Sequence, residues 1–330
     1  MRYLYYNMSC RVTIGNVMID YVNSISITES IKKLADVATV VIPREYLAAS
    51  IGGKTEKFAN QNILKFIKVN DPVIIKLGYD GKLETEFTGY VSKVSADIPL
   101  VIECEDEMFQ LRKSNFSKTF RSVSLLQLLK TIAPNYKYDV IDDIKLGKFT
   151  INNASAYRTL ETLRKDYGLH SRFVGKILQV GFPISLIPQA VHEININRNV
   201  RAQSNDLKFV RKEDFKILLK AISINKNGAR LTSDFGDKDG AQRTLHFTNK
   251  TLSELKLLAE KNYKSLNFDG YQGSIPTWGL PRTKAGESVD ITDPNYKNSE
   301  RNGKYLIEEV IKKFNSTDGF KRINKLSLKL

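Results

Sequence analysis

The first hundred residues alternate apolar and polar side chains with period two, which is the pattern of half-buried β-strands. Residues 12–27 alternate in this way, and residues 38–42 form a further strand that ends at Pro43. Proline cannot donate to the ladder of a central strand, so it marks the strand end. Between residues 43 and 71 the alternation stops around Gly52-Gly53, which predicts a long excursion and not another strand pair.

The clearest hairpin in the chain lies between residues 73 and 94. Two alternating runs flank Asp80-Gly81, a dipeptide that adopts the positive φ values of a tight turn between twisted strands. A third strand returns at residues 100–104. Antiparallel neighbours joined by short connections are typical of a β-sandwich or a β-barrel.

The periodicity becomes helical after Arg112. Leucine and isoleucine recur at helical spacing between residues 125 and 132, and a second helical run ends at Gly168. A hairpin at residues 171–180 follows. The N-cap candidates are polar residues just before each helix, namely Ser122 or Ser124 for the first and Asn153 or Ser155 for the second. This stretch is therefore predicted to form a small α/β domain.

Strands resume at residues 215–224 and 243–248. Thr251 and Glu254 then have the spacing of a capping box, which predicts the start of a helix. Glycine-punctuated strands follow, and an alternating apolar pattern runs to the C-terminus, which predicts that the last strand is paired in a sheet.

The predicted fold class is mainly β with an α+β insertion. Residues 1–118 are predicted to form a first antiparallel β domain, a sandwich or a barrel, residues 119–182 the α/β domain, and residues 183–330 a second β domain with one helix. The strand ends at residues 91–94 and 310–314 share a Val-x-Lys pattern. Both a duplicated barrel and the general pattern of hairpins explain this similarity.

The chain carries 51 Lys and Arg against 36 Asp and Glu, a net charge of +15. The excess is +1 in residues 1–118, +5 in residues 119–182 and +9 in residues 183–330. Such a charge can attract nucleic acid, a membrane surface or an acidic protein. The lysines are scattered singly and form no dense block, which favours a solvated basic surface over direct nucleic-acid binding.

Neither membrane insertion nor secretion is expected from the sequence. No run approaches the roughly 18 apolar residues that a bilayer-spanning helix needs, and the first residues lack the apolar stretch of a secretory signal. Cys10 and Cys104 are far apart in the sequence, so neither a disulfide framework nor a zinc site is suggested. We therefore expect a soluble protein made in a cytoplasm.

No residue pattern predicts catalysis, a metal site or a cofactor. The three histidines, His170, His192 and His246, are isolated and are interpreted as structural or surface residues. The acidic residues between 103 and 107 are interpreted as a strand end whose carboxylates face solvent or pair across subunits. Residues 234–240 lack the final acidic ligand of a calcium loop and are predicted to form a turn. The usual motifs of serine hydrolases, nucleotidases and dinucleotide enzymes are absent from the sequence.

Several stretches resemble phage late control protein D and related tail baseplate hub proteins. Residues 77–91 are similar to the first barrel of that family, residues 102–113 to the segment that leaves it, and residues 155–181 to its small inserted domain. The motifs that resemble the second barrel of that family are Asp269-Gly270-Tyr271-Gln272-Gly273-Ser274, Gly279-Leu280-Pro281, Gly286-Glu287, Gly303-Lys304-Tyr305 and Gly319-Phe320-Lys321-Arg322. Residues 43–71 match no motif of the family.

The resemblance implies two tail-tube-like barrels per subunit and a homotrimeric ring with pseudo-sixfold symmetry. Such a ring joins a sixfold tail tube to a threefold spike. The implied partners are a tail tube protein and a separate spike protein, because no spike domain follows the last barrel strand of this chain. The implied location is the baseplate of a virion tail, assembled in the cytoplasm of a bacterial host. The hub of a phage-derived contractile injection apparatus fits the same residues.

Two other classes of function stay open at this stage. A basic β-barrel can bind nucleic acid, and a carboxylate pair among residues 103–107 could serve a cell-wall hydrolase. Aromatic side chains supply large rigid contact areas at interfaces, although ordinary barrel packing uses them equally well. The candidate residues for a subunit or partner interface are Tyr79, Tyr90, Tyr271 and Trp278.

Overall fold

A computed structural model describes residues 7–42, 45–51, 54–59, 65–95, 98–140, 143–182, 190–201, 206–296 and 301–330. The chain divides into two compact units, each built from separate stretches of sequence. The first unit contains Met1–Phe109, Pro276–Lys284 and Glu309–Asn324, and the second contains Gln110–Ile275, Ala285–Glu308 and Lys325–Leu330. The predicted class, mainly β with an α+β insertion, is confirmed. The three-part division at residues 118 and 182 stays a prediction.

The amino-terminal stretch of the first unit consists of strands. These are β1 (Met8–Ile14), β2 (Val17–Ile19), β3 (Ser24–Ser30), β4 (Val37–Ile42), β5 (Glu45–Ile51), β6 (Lys54–Ala59), β7 (Pro72–Tyr79), β8 (Lys82–Val94) and β9 (Leu100–Glu105). A 3-10 helix, Glu107–Arg112, follows.

These strands form an antiparallel sheet in the order β3-β4-β9-β8-β7-β1-β2-β5-β6. The predicted hairpin is confirmed, because β7 pairs with β8 and the register closes with Tyr79 opposite Lys82. Asp80 and Gly81 between them have φ values of 51° and 77°. On the other side of the sheet, residues 309–315 of strand β23 (Gly303–Asn315) pair antiparallel with β3.

The core of the first unit is formed by the inward residues of these alternating strands. Val12, Ile75 and Ile102 are fully buried, as the period-two pattern predicts. Phe314 and Phe320 also belong to this core, although they come from the last part of the chain. Burying such aliphatic and aromatic side chains contributes about 1.5–3 kcal/mol each. The late residues 309–324 are therefore an integral part of the first unit.

The prediction of a long excursion without strand pairing between residues 43 and 71 is wrong over part of that range. Strands β5 and β6 pair with each other, and β5 also pairs with β2. The sequence signal was Gly52-Gly53, because two glycines between short strand-like runs are typical of a hairpin connection. These two glycines lie outside the described residues. The small and polar residues of these strands hid the alternation.

The second unit contains the remaining strands and the helices. Its strands are β10 (Asn115–Ser124), β11 (Lys137–Val140), β12 (Lys145–Ser155), β13 (His170–Val174), β14 (Ile177–Gly181), β15 (Val191–Asn195), β16 (Lys208–Val210), β17 (Ile217–Ile224), β18 (Arg230–Gly236), β19 (Ala241–Thr248), β20 (Gly270–Gln272) and β22 (Ser288–Thr292). Its helices are α1 (Leu125–Ile132), α2 (Ala156–Tyr167), α3 (Ile196–Asn199) and α4 (Leu252–Leu266), with a 3-10 turn at Lys212–Asp214. Strands β21 (Ser274–Trp278), β23 and β24 (Gly319–Lys329) contribute residues to both units.

The helix boundaries follow the cap signals in the sequence. Ser124, and not Ser122, caps α1, because its hydroxyl accepts from the Gln127 amide while the Gln127 side chain accepts from the Ser124 amide. Ser155 caps α2, and Gly168 ends it in the left-handed conformation. The capping box predicted at Thr251 and Glu254 is confirmed at the start of α4.

Four strands of the second unit were not predicted, namely β10, β15, β16 and β18. Strand β10 is exposed along most of its length, so it shows no apolar alternation. Strand β18 includes Asp234, where a turn was expected, and it pairs antiparallel with β17. Strand β17 also pairs in parallel with β19, and helix α4 contacts this sheet.

Candidate assembly interface and buried ionic cluster

Tyr79 lies at the end of β7 and holds two segments of the first unit. Its hydroxyl donates to the carbonyl oxygen of Phe320 and accepts from the amide of Gly279, both at 3.0 Å. Its ring packs on Phe320 with the centroids 5.6 Å apart. The side chain predicted as an interface residue therefore also fixes the segment that contains Gly279.

Trp278 lies on that fixed segment and is 47% exposed. Leu280, two residues later, is 36% exposed. Gly279 between them is required by packing, since a Cβ atom there would lie 2.2 Å from the Phe320 ring. Trp278 is therefore a half-exposed aromatic on a segment whose backbone is fixed by hydrogen bonds.

Tyr90 is half-buried at the acidic end of β9. Its hydroxyl donates to the Glu107 carboxylate at 3.2 Å, and burial followed by the Glu107 charge raises its pKa. Glu103 faces solvent and pairs with Lys93 at 3.2 Å. The acidic stretch therefore contains one carboxylate that pairs on the surface and another that binds a neighbouring tyrosine.

Tyr271, the fourth predicted interface residue, is 5% exposed in the second unit. Its hydroxyl donates to the Asp293 carboxylate in a short hydrogen bond, and its amide donates to the Tyr305 hydroxyl. Burial and then the hydrogen bond to Asp293 raise its pKa to about 12. The guanidinium of Arg301 lies 3.4 Å from the centroid of the Tyr296 ring. Internal packing therefore accounts for the Tyr271 side chain.

A buried ionic cluster in the first unit was missed from the sequence. The side chains of Glu86, Lys312 and Arg322 are 3%, 1% and 1% exposed. The Glu86 carboxylate contacts Lys312 Nζ at 3.0 Å, Arg322 Nη2 at 2.6 Å and Arg282 Nε at 3.1 Å. Lys312 also contacts Glu29. Burial raises the pKa of Glu86, but attraction from Lys312 and Arg322 outweighs burial and lowers it overall.

The sequence signal for this cluster was two charged residues that stand two positions from buried apolar residues of the same strand. Lys312 alternates with Val310 and Phe314 in β23, and Arg322 follows Phe320 by two residues in β24. Side chains two apart in a strand point to the same face. Both cations are therefore directed inward with the apolar residues.

Two further carboxylates lie close to the cluster. Asp36 accepts from the Ser30 amide at 3.3 Å, and Asp106 accepts from the Met108 amide at 3.0 Å. Burial, followed by the charges of Glu29 and Asp106, raises the pKa of Asp36 well above its usual range. Burial raises the pKa of Asp106 to about 7. Asp36 and Asp106 therefore hold protons more tightly in the fold than in the unfolded chain.

Two of the three histidines contact neighbouring side chains. His192 Nε2 lies 2.7 Å from the Glu287 carboxylate, and His246 stacks on Phe182 with the ring centroids 6.0 Å apart. Burial lowers the pKa of His246. Within the described residues, no group of three His, Cys, Asp or Glu side chains is arranged to hold a metal ion. The part of the chain that the structure describes also has no helix of the length and apolar character needed to cross a membrane.

Comparison with known proteins identifies the fold. No protein-family model matches the chain, and no functionally curated protein matches it. Among solved structures, the 43 kDa tail protein of prophage MuSo2 from Shewanella oneidensis matches with a TM-score of 0.61 at 15% identity, over 97% of this chain and 98% of that protein. A tail protein from Neisseria meningitidis matches with a TM-score of 0.60 at 14% identity, over 98% and 97% of the two chains.

A third similar structure comes from a secretion system. The E. coli c3393 protein, a type VI secretion component described as similar to the T4 tail proteins gp27 and gp5, matches with a TM-score of 0.56 at 8% identity. The match covers 98% of this chain and 77% of that protein. The resemblance found in the sequence is therefore confirmed at the level of the fold, which is that of phage tail proteins and type VI secretion hub-like proteins.

Proposed function

We propose that this protein is a structural component of a phage or prophage tail, and that it forms the baseplate hub. The observation that carries the proposal is the fold shared with a prophage tail protein over nearly the full length of both chains. In this role, three subunits with two tube-like barrels each form a pseudo-sixfold ring that joins the tail tube to a separate spike protein. The equivalent hub of a contractile injection apparatus fits the same fold. The protein acts in the virion tail after assembly in the host cytoplasm.

Rigid interior packing supports a structural role. The first unit buries the Glu86 cluster and an extensive apolar core. Two of the acidic residues between 103 and 107 are engaged with neighbours, because Glu103 pairs with Lys93 and Asp106 accepts from the Met108 amide. We expect no hydrolase activity, and release of peptidoglycan fragments by the purified protein would contradict this.

Trp278 is the interface anchor in this proposal. Tryptophan contributes disproportionately to protein interfaces when a partner buries it, and Trp278 is presented on a segment held by Tyr79. Tyr79 therefore acts behind the interface, and Tyr90 and Tyr271 act within their own units.

The test is the mass of the purified full chain in solution, measured by light scattering over a series of protein and salt concentrations. We expect a species of about three times 37.5 kDa, with a ring and a central channel in electron micrographs. Trp278→Ala should shift the mass toward that of the monomer. Tyr21→Ala is the matched control, because Tyr21 is an aromatic of the same unit with 76% exposure.

The possible results separate the parts of the proposal. A wild-type monomer at every concentration would overturn the self-assembling ring. A wild-type trimer that Trp278→Ala leaves intact would keep the ring but reject Trp278 as its anchor. If both substitutions dissociate the trimer equally, the assay responds to the loss of any exposed aromatic side chain and not to a specific contact of Trp278.

A further inference from the structure

The positive charge of the chain lies almost entirely in the second unit. That unit carries 33 Lys and Arg against 20 Asp and Glu, a net charge of +13. The first unit carries 18 against 16, a net charge of +2. The basic character is therefore a property of one compact body, although the lysines are scattered along the sequence.

Within the second unit, β10 and β12 form a two-stranded antiparallel ribbon that has basic residues and no acidic ones. Residues 113–124 and 145–155 contain no Asp or Glu. Their basic side chains are all exposed, namely Lys113, Lys118, Arg121, Lys145 and Lys148. Asp143, which precedes the second strand, accepts a hydrogen bond from the Leu126 amide at the start of α1.

A bulge places two of these cations side by side. Phe120 pairs with Phe149 and Val123 pairs with Gly147, so Arg121 and Ser122 together face Lys148. Like charges opposite one another in a sheet repel. An anion bound between Arg121 and Lys148 would relieve this repulsion.

Basic residues of the neighbouring sheet extend the ribbon surface. The Lys145 amide donates to the carbonyl oxygen of Lys226 at 3.3 Å. The hydroxyl of Tyr167 donates to the carbonyl oxygen of Leu146 at 3.1 Å, and the Arg230 guanidinium lies 5.0 Å from the Tyr167 ring centroid. Lys226 and Arg230 are both exposed. The basic surface therefore continues past the end of the ribbon.

The polar side chains of the ribbon indicate which anion it fits. The exposed residues between the cations are hydroxyl and amide residues, namely Ser117, Thr119, Thr150 and Asn152. Lys, Arg, Ser, Thr and Asn are the residues that contact DNA phosphates. Protein interfaces are instead depleted in Lys and Ser and use exposed aromatic anchors, whereas Phe149 of this ribbon is buried and Phe116 and Phe120 are half-buried.

We propose that the ribbon formed by β10 and β12 binds the phosphate backbone of duplex DNA without sequence preference. The fold brings Arg121 and Lys148, which are 27 positions apart in the sequence, together on the outward face of the ribbon. This proposal does not depend on the ring or on the Trp278 contact.

The test uses the full chain and a labelled duplex of mixed sequence, with binding followed by fluorescence anisotropy over a salt series. The ribbon variant is Arg121→Gln, Lys148→Gln, which removes the two cations that share the outward face at the bulge. The control variant removes the same charge from exposed lysines elsewhere in the unit, as Lys238→Gln, Lys256→Gln. Light scattering on every variant separates a change in DNA binding from a change in assembly.

Wild type should bind the duplex at low salt. The logarithm of its binding constant should fall linearly with the logarithm of the salt concentration. The ribbon variant should lose at least tenfold in affinity and reduce the salt slope by roughly 2, about 1 per phosphate contact. The control variant should keep the slope and most of the affinity. Absence of wild-type binding at low salt would overturn the proposal, as would equal losses in the two variants. If polyglutamate competes as effectively as unlabelled DNA at equal total charge, the ribbon is a site for acidic proteins instead.

Discussion

Glu86→Gln tests the buried ionic cluster, because it removes one charge with almost no change of shape. The substitution leaves Lys312 with Glu29, but it leaves Arg322 with two neutral acceptors, the carbonyl oxygens of Gly279 and Thr283. Removing one partner of a buried ion pair destabilises a protein by about 3–5 kcal/mol, since the remaining charge stays buried without compensation. We expect a loss in that range at pH 7.

The assay is unfolding in urea, followed by hydrogen-exchange mass spectrometry on peptides from β8 and β24, so that the transition is assigned to the elements that carry the cluster. Glu103→Gln is the matched control. The Glu103 carboxylate is 48% exposed and pairs with Lys93 on the surface, and such pairs contribute at most about 1 kcal/mol. A Glu86→Gln loss no larger than that of Glu103→Gln would refute the reasoning.

The pH dependence gives a second check on the same substitution. The pKa of Glu86 is lowered in the folded protein, so the stabilisation that the ionised carboxylate provides is present above its unfolded pKa of about 4.5. It is lost as the pH falls through the lowered folded value. The difference in unfolding free energy between wild type and Glu86→Gln should therefore shrink below pH 4.5. A difference that stays constant from pH 7 to pH 3 would contradict this assignment.

Two further substitutions test neighbouring contacts. The raised pKa of Asp106, about 7 against an unfolded value of 3.8, stabilises the fold below pH 3.8, and this stabilisation is lost as the pH rises through 7. Asp106→Asn keeps an acceptor for the Met108 amide and should remove this loss of stability, which is at most about 4 kcal/mol. Urea titrations of wild type and variant at pH 4 and pH 8 measure the loss. An unchanged dependence of stability on pH in the variant would count against this assignment. Tyr79→Phe removes the hydroxyl between Gly279 and Phe320 and should destabilise the first unit by about 1–3 kcal/mol. Hydrogen exchange should then accelerate at the Gly279 amide, and unchanged protection there would contradict the role of Tyr79.

Much of the fold could be predicted because its local signals agree with its packing. The β7-β8 hairpin has a turn dipeptide between alternating strands, and α1, α2 and α4 have cap residues before their apolar faces. Strands β5 and β10 escaped prediction because small or exposed residues leave no alternation to detect.

The functional residues were harder to predict, because burial depends on residues far apart in the sequence. Tyr79 and Tyr271 were selected as aromatic anchors, but their hydroxyls bond to groups that only the fold brings near them. The Glu86 cluster joins residues separated by more than 200 positions. The basic ribbon could not be seen as a cluster, because β10 and β12 are separated in the sequence by α1 and β11.

Residues 309–324 belong to the first unit but are synthesised near the end of the chain. This order constrains how the first unit folds during synthesis. Strand β3 pairs with β23, and Glu29 contacts Lys312, which the ribosome adds 283 residues later. At about 5–20 residues per second, that interval is roughly 15–60 seconds. During this time the nascent chain holds the open edge of β3 and the carboxylates of an ionic cluster whose two buried cations, Lys312 and Arg322, have not yet been synthesised. Co-translational protection by a chaperone is therefore expected for this unit until synthesis passes residue 322, and stalled chains should aggregate through β3.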